Sequence, residues 1–173
     1  MPAVWLINGI PGAGKTATAR ELASRFPHGV HIEGDCVQDF IVSGGVPPGA
    51  LPRDEEARQI HLNVRNQCLL ARSFIEAGFT VVIDYVIVSR DRVEEYRSQL
   101  SEIPLHLVTL CPGVQTALER DSKRAKNVAH RWAHLEAGMK EELTDFGLCL
   151  DNSKMAISEV VTLVLSRSGD ARI

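Results

Sequence analysis

Apolar and polar positions alternate along the chain as short apolar runs separated by longer stretches of helical spacing. The runs are Ala3-Val4-Trp5-Leu6-Ile7, Val30-His31-Ile32-Glu33, Phe79-Thr80-Val81-Val82-Ile83-Asp84, Leu105-His106-Leu107-Val108-Thr109-Leu110 and Gly147-Leu148-Cys149-Leu150-Asp151. Each has the length of a strand. The third is nearly continuous in apolar, β-branched residues, which is how a strand buried on both faces of a parallel sheet is built. Between the runs the spacing predicts helices over 17–23, 36–41, 54–77, 89–100, 114–124 and 158–166, with mixed loop and helix over 126–145. Asp54, Glu55 and Glu56 open the longest helix at the end where its dipole favours acids, Gly78 ends it, and Ser89 stands where a cap belongs. Strands that alternate with helices give an α/β fold with a parallel sheet. The exception is Gly44-Gly45-Val46-Pro47-Pro48-Gly49-Ala50-Leu51-Pro52, whose glycines and prolines forbid regular structure. An irregular loop of this length inside a compact chain is more often functional than idle.

Composition narrows the picture without changing it. The 173 residues fit one domain spanning 1–173, with no repeat, low-complexity tract or linker. Hydrophobic residues make up 45% and charged residues 24%, as in ordinary globular proteins that fold without disulfides or structural metals. A net charge of −3 argues against a global pull toward nucleic acid or anionic lipid. Cys36, Cys68, Cys111 and Cys149 form no C-x-x-C pair and no zinc spacing, so they are expected as reduced, small buried hydrophobes. The chain enters its first strand with no charged leader, and no apolar run approaches the roughly 18 residues of a membrane span. A cytoplasmic protein with no membrane partner is expected, either monomer or homodimer.

The chemistry concentrates after the first strand. Gly9-Ile10-Pro11-Gly12-Ala13-Gly14-Lys15-Thr16 is a G-x-x-x-x-G-K-T motif between a strand and the helix beginning with Ala17. In such a loop the backbone N–H groups turn inward to cradle phosphates, and the helix that starts near Lys15 adds its positive dipole end. Lys15 would reach the outer phosphates, and the Thr16 hydroxyl would take a place on magnesium. Residues 9–17 are therefore the candidate nucleotide site. The absence of an N-K-x-D guanine motif favours ATP over GTP.

Three acids stand at or just past strand ends, the edge where ligands bind open α/β sheets. Asp35 follows the second strand and could accept a proton from an attacking hydroxyl; the bland alternative is that it caps the helix over 36–41. Glu33 could face magnesium or its waters. Asp84 ends the third strand, like an acid that holds magnesium through water, or it could bind the acceptor or simply turn the chain. Arg120, Lys123, Arg124, Lys126 and Arg131 fall within twelve residues, with Arg120 and Arg124 four apart on one helix face. Such arginines stabilise a transferring phosphoryl group, although mixed charge on a helix is ordinarily a solvated face. His130 and His134 share zinc-like spacing but lack a third ligand, and Trp132 between them reads as a packing residue. Arg53, Arg58, Arg65, Arg90 and Arg92 could each touch an acceptor, with nothing in the sequence to rank them.

Taken together, the glycine loop, Asp35 after strand two and the arginines after strand four resemble the small P-loop kinases, such as shikimate, gluconate and adenylylsulfate kinases. The nearest likeness is to the chloramphenicol phosphotransferase-like and zeta-toxin-like AAA group. The resemblance runs nearly the whole chain, though only the glycine loop is highly specific. It implies a five-stranded parallel sheet of order 2-3-1-4-5 with a lid at about 126–135. It implies ATP and Mg2+, and an acceptor hydroxyl on a small molecule such as an antibiotic, nucleoside or sugar. It assigns Asp35 to the acceptor hydroxyl, and Arg120 and Arg124 to the lid, one against adenine and one on the phosphates. It sets Leu150-Asp151-Asn152-Ser153 near the adenine. Glu33 stands where shikimate kinase has an aspartate, and that enzyme lacks an acid like Asp84. The loop over 44–53 matches no acceptor site of the group. A polynucleotide 5′-hydroxyl kinase and a nucleotide-binding switch without transfer activity remain the alternatives.

Overall fold

The computed structural model describes residues 1–123 and 128–173. Five strands form one parallel sheet: β1 (Val4–Asn8), β2 (Gly29–Glu33), β3 (Thr80–Asp84), β4 (Leu105–Leu110) and β5 (Leu148–Leu150). Their order is β2-β3-β1-β4-β5. This is the expected three-layer P-loop fold. The central strands β1 and β3 are buried along their whole length, matching their unbroken apolar runs, while β2 and β5 lie at the edges. Register aligns Ile7 with Asp84, Glu33 with Asp84, and Asn8 with Thr109, so the chemistry-bearing strand ends form a row at the carboxyl edge.

Helices cover both faces. α1 (Lys15–Ser24) packs on the sheet beside a late helix, Ile157–Ser166. On the other side α2 (Gly34–Gln38), α3 (Arg53–Glu76) and α4 (Arg90–Gln99) pack in succession. α5 (Val114–Asp121), α6 (Ala129–Trp132) and α7 (Leu135–Glu142) follow β4, α8 is Ile157–Ser166, and α9 (Ser168–Ala171) closes the chain.

Several boundaries move for physical reasons. α1 begins at Lys15, where the motif sets the helix start, because Gly14, at φ 97°, supplies the left-handed turn directly before it. α4 is capped as expected, with the Arg92 N–H donating to Ser89 Oγ at 3.4 Å. α5 stops at Asp121, short of the expected 124. The buried Asp121 carboxylate accepts the N–H groups of Val128 and Ala129, both at 2.7 Å, and so anchors the start of α6. α2 starts at Gly34, which puts Asp35 in the first helical turn with Glu33 at the cap position. Glu33 makes no capping side-chain bond there, and Asp35 does not sit ahead of the helix as a cap residue would.

Candidate active site

The glycine loop joins β1 to α1 over the carboxyl edge of the sheet. Its path is fixed by packing as well as by glycine: at Gly12, φ 84°, a Cβ would lie 2.2 Å from the Ala117 carbonyl oxygen of α5. Ile10 and Ala13 are fully buried beneath it, and the Ala13 N–H donates to Ile10 O at 3.1 Å. Lys15 Nζ donates to Ile10 O at 3.3 Å and so lies back over the loop. The Asn152 side chain, after β5, donates to Ala13 O at 2.9 Å and pins the loop from the far edge. Its Oδ1 is buried with no hydrogen-bond partner among the described residues, leaving an acceptor beside the loop. Arg120 of α5 donates to the carbonyls of Asn152 and Ser153 at 2.9 and 3.1 Å. The strand-five segment, α5 and the glycine loop are thus one connected unit. Arg124 and Lys126 lie outside the described residues.

Asp84 is the most constrained acid of the site. It is 4% exposed, accepts the Thr16 hydroxyl on Oδ2 at 2.7 Å, and binds His31 Nε2 through Oδ1 at 2.7 Å. A carboxylate oxygen accepts, so the ring nitrogen is the donor. One oxygen therefore faces the hydroxyl expected on magnesium, and the other is held by an imidazole from β2. Glu33 is the register partner of Asp84 and, after burial, the next cause that pushes up the Cys36 thiol of α2.

Asp35 is exposed at this same edge. Its position is set from below by buried polar side chains. Tyr96 of α4 donates to Gln67 Oε1 at 2.5 Å, Gln67 donates to Asn63 Oδ1 at 3.0 Å, and Asn63 donates to the Gly34 carbonyl at 3.1 Å. Burial, the largest cause in each case, pushes the Tyr85 and Tyr96 phenols up, so both stay neutral donors. Asn8, at the end of β1, both donates to and accepts from the Ile87 backbone, fixing the chain just past Asp84.

Of the arginines left unranked by the sequence, Arg53, Arg58 and Arg92 pair with Glu56, Glu55 and Glu95 on their own helices, and Arg90 pairs with Asp145. Trp132 lies against Gly49, where a Cβ would come within 2.9 Å of the indole ring, so the Pro/Gly loop and α6 touch. Among the described residues, no group of three or more His, Cys, Asp and Glu could hold a metal ion, and His130 with His134 gathers no third ligand. No helix among them is long and apolar enough to cross a membrane. Sequence reasoning missed His31, Asn8 and the Tyr96-Gln67-Asn63 chain. Only the polar Asn8 at the end of a wholly apolar run offered a signal.

Comparison with known proteins agrees with this fold. Residues 4–143 match the model of the AAA domain family. No curated protein sequence matches the chain. Among solved structures it is similar to an unliganded sugar kinase from a Janibacter species, with TM-score 0.70 and 17% identity over 99% of this chain and 96% of that one. It is also similar to the tunicamycin resistance protein of Deinococcus radiodurans, with TM-score 0.69 and 19% identity over 99% and 98%. A gluconokinase from Sinorhizobium meliloti gives TM-score 0.61 and 16% identity over 95% and 90%. The chain belongs to the AAA domain family and has the fold of the small P-loop kinases.

Proposed function

We propose that the protein is an ATP-dependent phosphotransferase that moves the γ-phosphoryl group to a hydroxyl of a small molecule. The observation that carries this reading is the meeting, at one sheet edge, of a phosphate loop, the Thr16–Asp84 pair and the exposed Asp35 carboxylate. A loop alone would serve a switch as well. An exposed carboxylate beside it gives a place for an attacking hydroxyl.

The residues present fit a magnesium nucleotide. Mg2+ is commonly held by one or two carboxylates plus substrate phosphates, and the Thr16 hydroxyl with Asp84 supplies that donor set, with Glu33 alongside. When bound, the ion neutralises phosphate charge. Lys15 swings from Ile10 O to the outer phosphates, and the loop from Gly9 to Ala17 binds the remainder through N–H groups. Asn152, whose Oδ1 is a buried acceptor beside the loop with no partner among the described residues, and Arg120, bonded to its carbonyl, would hold the base. Asp35 orients the acceptor hydroxyl and takes its proton. Arg124 is assigned to the transferring phosphoryl group.

On the acceptor side, Phe40, Val42 and Leu51 are 70, 95 and 76% exposed and follow Asp35 along the chain. Trp132 packs against Gly49, in the same loop that carries Leu51. Exposed apolar side chains that follow Asp35 in the sequence suit a small acceptor with a hydrophobic skeleton better than a polynucleotide, whose backbone needs basic contacts.

Mass analysis of products tests the proposal. The protein is incubated with ATP, Mg2+ and a panel of aminoglycosides, chloramphenicol-like compounds, nucleosides, sugars and a 5′-hydroxyl oligonucleotide. One small acceptor gaining a single phosphate, with the product lost in Lys15→Ala, is the expected result. ATP bound but no acceptor modified would favour a nucleotide switch, and phosphate on the oligonucleotide alone would make the protein a polynucleotide kinase.

A further inference from the structure

Cys36 and Cys149 are exposed, against the expectation of small buried residues, and only Cys149 has a second thiol, Cys111, against it among the described residues. Cys111 follows β4 directly, and Cys149 is the middle residue of edge strand β5. Thr109 is the register partner of Cys149, and the Cys111 N–H donates to Leu150 O at 2.8 Å. Side chains alternate along a strand, so Thr109, Cys111 and Cys149 share a face. The two sulfurs lie 3.1 Å apart. Cys149 is exposed while Cys111 is buried, so a reagent meets one thiol and finds the second directly behind it.

We propose that Cys111 and Cys149 form a redox-active dithiol, a modification site that reacts with low-molecular-weight disulfides and closes to an intrachain disulfide. The attacking species is the thiolate of Cys149. The Cys111 S–H bonded to it, the largest cause, lowers its pKa to about 7; Lys140 assists, while partial burial, Glu136 and Asp151 oppose. Cys111 shifts the opposite way, raised first by that same bond and then by burial, so it remains the protonated donor. Its neighbours Lys140 and Glu136 are shared with Cys149.

Two exchanges complete the reaction. Cys149 Sγ attacks one sulfur of R–S–S–R, its S–S bond breaks, and one RSH leaves. Cys111 then loses its proton and attacks Cys149 Sγ, displacing the second RSH. The protein gives up two hydrogen atoms and the reagent is reduced to two thiols. Closure shortens 3.1 Å to the roughly 2.05 Å of a disulfide.

The other cysteines serve as internal controls. Cys36 is exposed too, but burial of its thiol and the nearby Glu33 raise its pKa. Cys68 is buried and pushed up to about 12, chiefly by desolvation. Exposure alone therefore does not select Cys149; the partner thiol does.

The site lies on elements that border the phosphate loop. Cys111 stands two residues before Gly113, which precedes α5 and donates its N–H to the buried Glu136 at 3.0 Å. Cys149 stands three residues before Asn152, the side chain that pins the loop. Closing the pair ties the lead-in of α5 to the lead-in of Asn152.

The test is to treat reduced protein with oxidised glutathione and follow intact mass and peptide maps. Wild type is expected to lose two hydrogens and yield a Cys111–Cys149 peptide pair. Cys111→Ser is expected to stall as a glutathione adduct on Cys149, and Cys149→Ser to stay reduced at Cys111. A stable glutathione adduct on wild-type Cys149, or faster reaction at Cys36, would overturn the proposal. Should a variant fail to fold, the wild-type peptide map decides by itself. A second readout rests on the nucleotide reading above: oxidised wild type should bind a nonhydrolysable ATP analogue several-fold more weakly than reduced, with Cys149→Ser indifferent to oxidant. Equal affinities would overturn the coupling to the loop, while the mass result stands or falls separately.

Discussion

At the scale of single residues, the site depends on atoms that the sequence names but does not place. Gly34 is the sharpest case. A Cβ there would lie 2.5 Å from the Tyr85 ring, 2.8 Å from Gln67 Nε2 and 3.0 Å from the Asp84 carbonyl. The substitution Gly34→Ala forces those groups apart, and overpacking of this kind costs about 1–3 kcal/mol. Denaturant unfolding should show that loss, and a Gly34→Ala variant as stable as wild type would mean the packing around Asp35 is looser than described. Gly9 to Thr16 was legible because motif, strand and helix coincide in the sequence. His31 was not legible. A histidine inside an apolar run reads as a tolerated polar residue, and its bond to Asp84 exists only because β2 and β3 are neighbours in the sheet. Asp35 was found as a candidate at a strand end, but its helical position was not, since Gly34 reads as a helix breaker while here it is the first residue of α2.

At the scale of elements, the strand pattern transferred well and the helix ends less so. Five apolar runs became five strands, with edges shifted by a residue or two where terminal residues lack a pairing partner. The shortened α5 and the separate α6 follow from Asp121, whose carboxylate bonds Val128 and Ala129; spacing cannot reveal such a tertiary contact. The strand pair β1–β4 carries a testable feature of its own. Trp5 and His106 are register partners and stack at 4.0 Å with an interplanar angle of 9°. Burial, the largest cause, lowers the His106 pKa, and its Nδ1 is buried without a partner among the described residues. The unfolded chain therefore takes up this proton first as pH falls. The contribution of neutral His106 is complete above its unfolded pKa of about 6.5 and is lost as pH falls from there through the folded value. Removing the titrating ring removes that loss, so the Tm of His106→Phe should fall less between pH 7 and pH 5 than the Tm of wild type. A wild-type Tm that falls no more steeply than that of the variant would remove this histidine from the account.

At the scale of the whole molecule, three chain segments far apart in sequence converge on the carboxyl edge of one sheet. The glycine loop follows β1, the start of α2 holds Asp35, and the segment after β5 braces the loop through Asn152. Such convergence is what a doubly wound parallel sheet provides at its switch point. The fold class and strand order could be stated from pattern and resemblance because the P-loop fixes where the chain must start winding. The acceptor could not, because the segments proposed to meet it, an irregular loop and α6, carry no periodic signal. The central claim is that nucleotide binding and acceptor activation are separate jobs, done by the glycine loop and by Asp35. The most direct test is Asp35→Asn, with ATP affinity and single-turnover phosphoryl transfer measured on the same preparation. ATP affinity unchanged with transfer reduced about 100-fold or more is the predicted result, the loss expected when a general base is removed. Transfer at the wild-type rate would contradict the account, as would a loss of ATP binding equal to the loss of transfer.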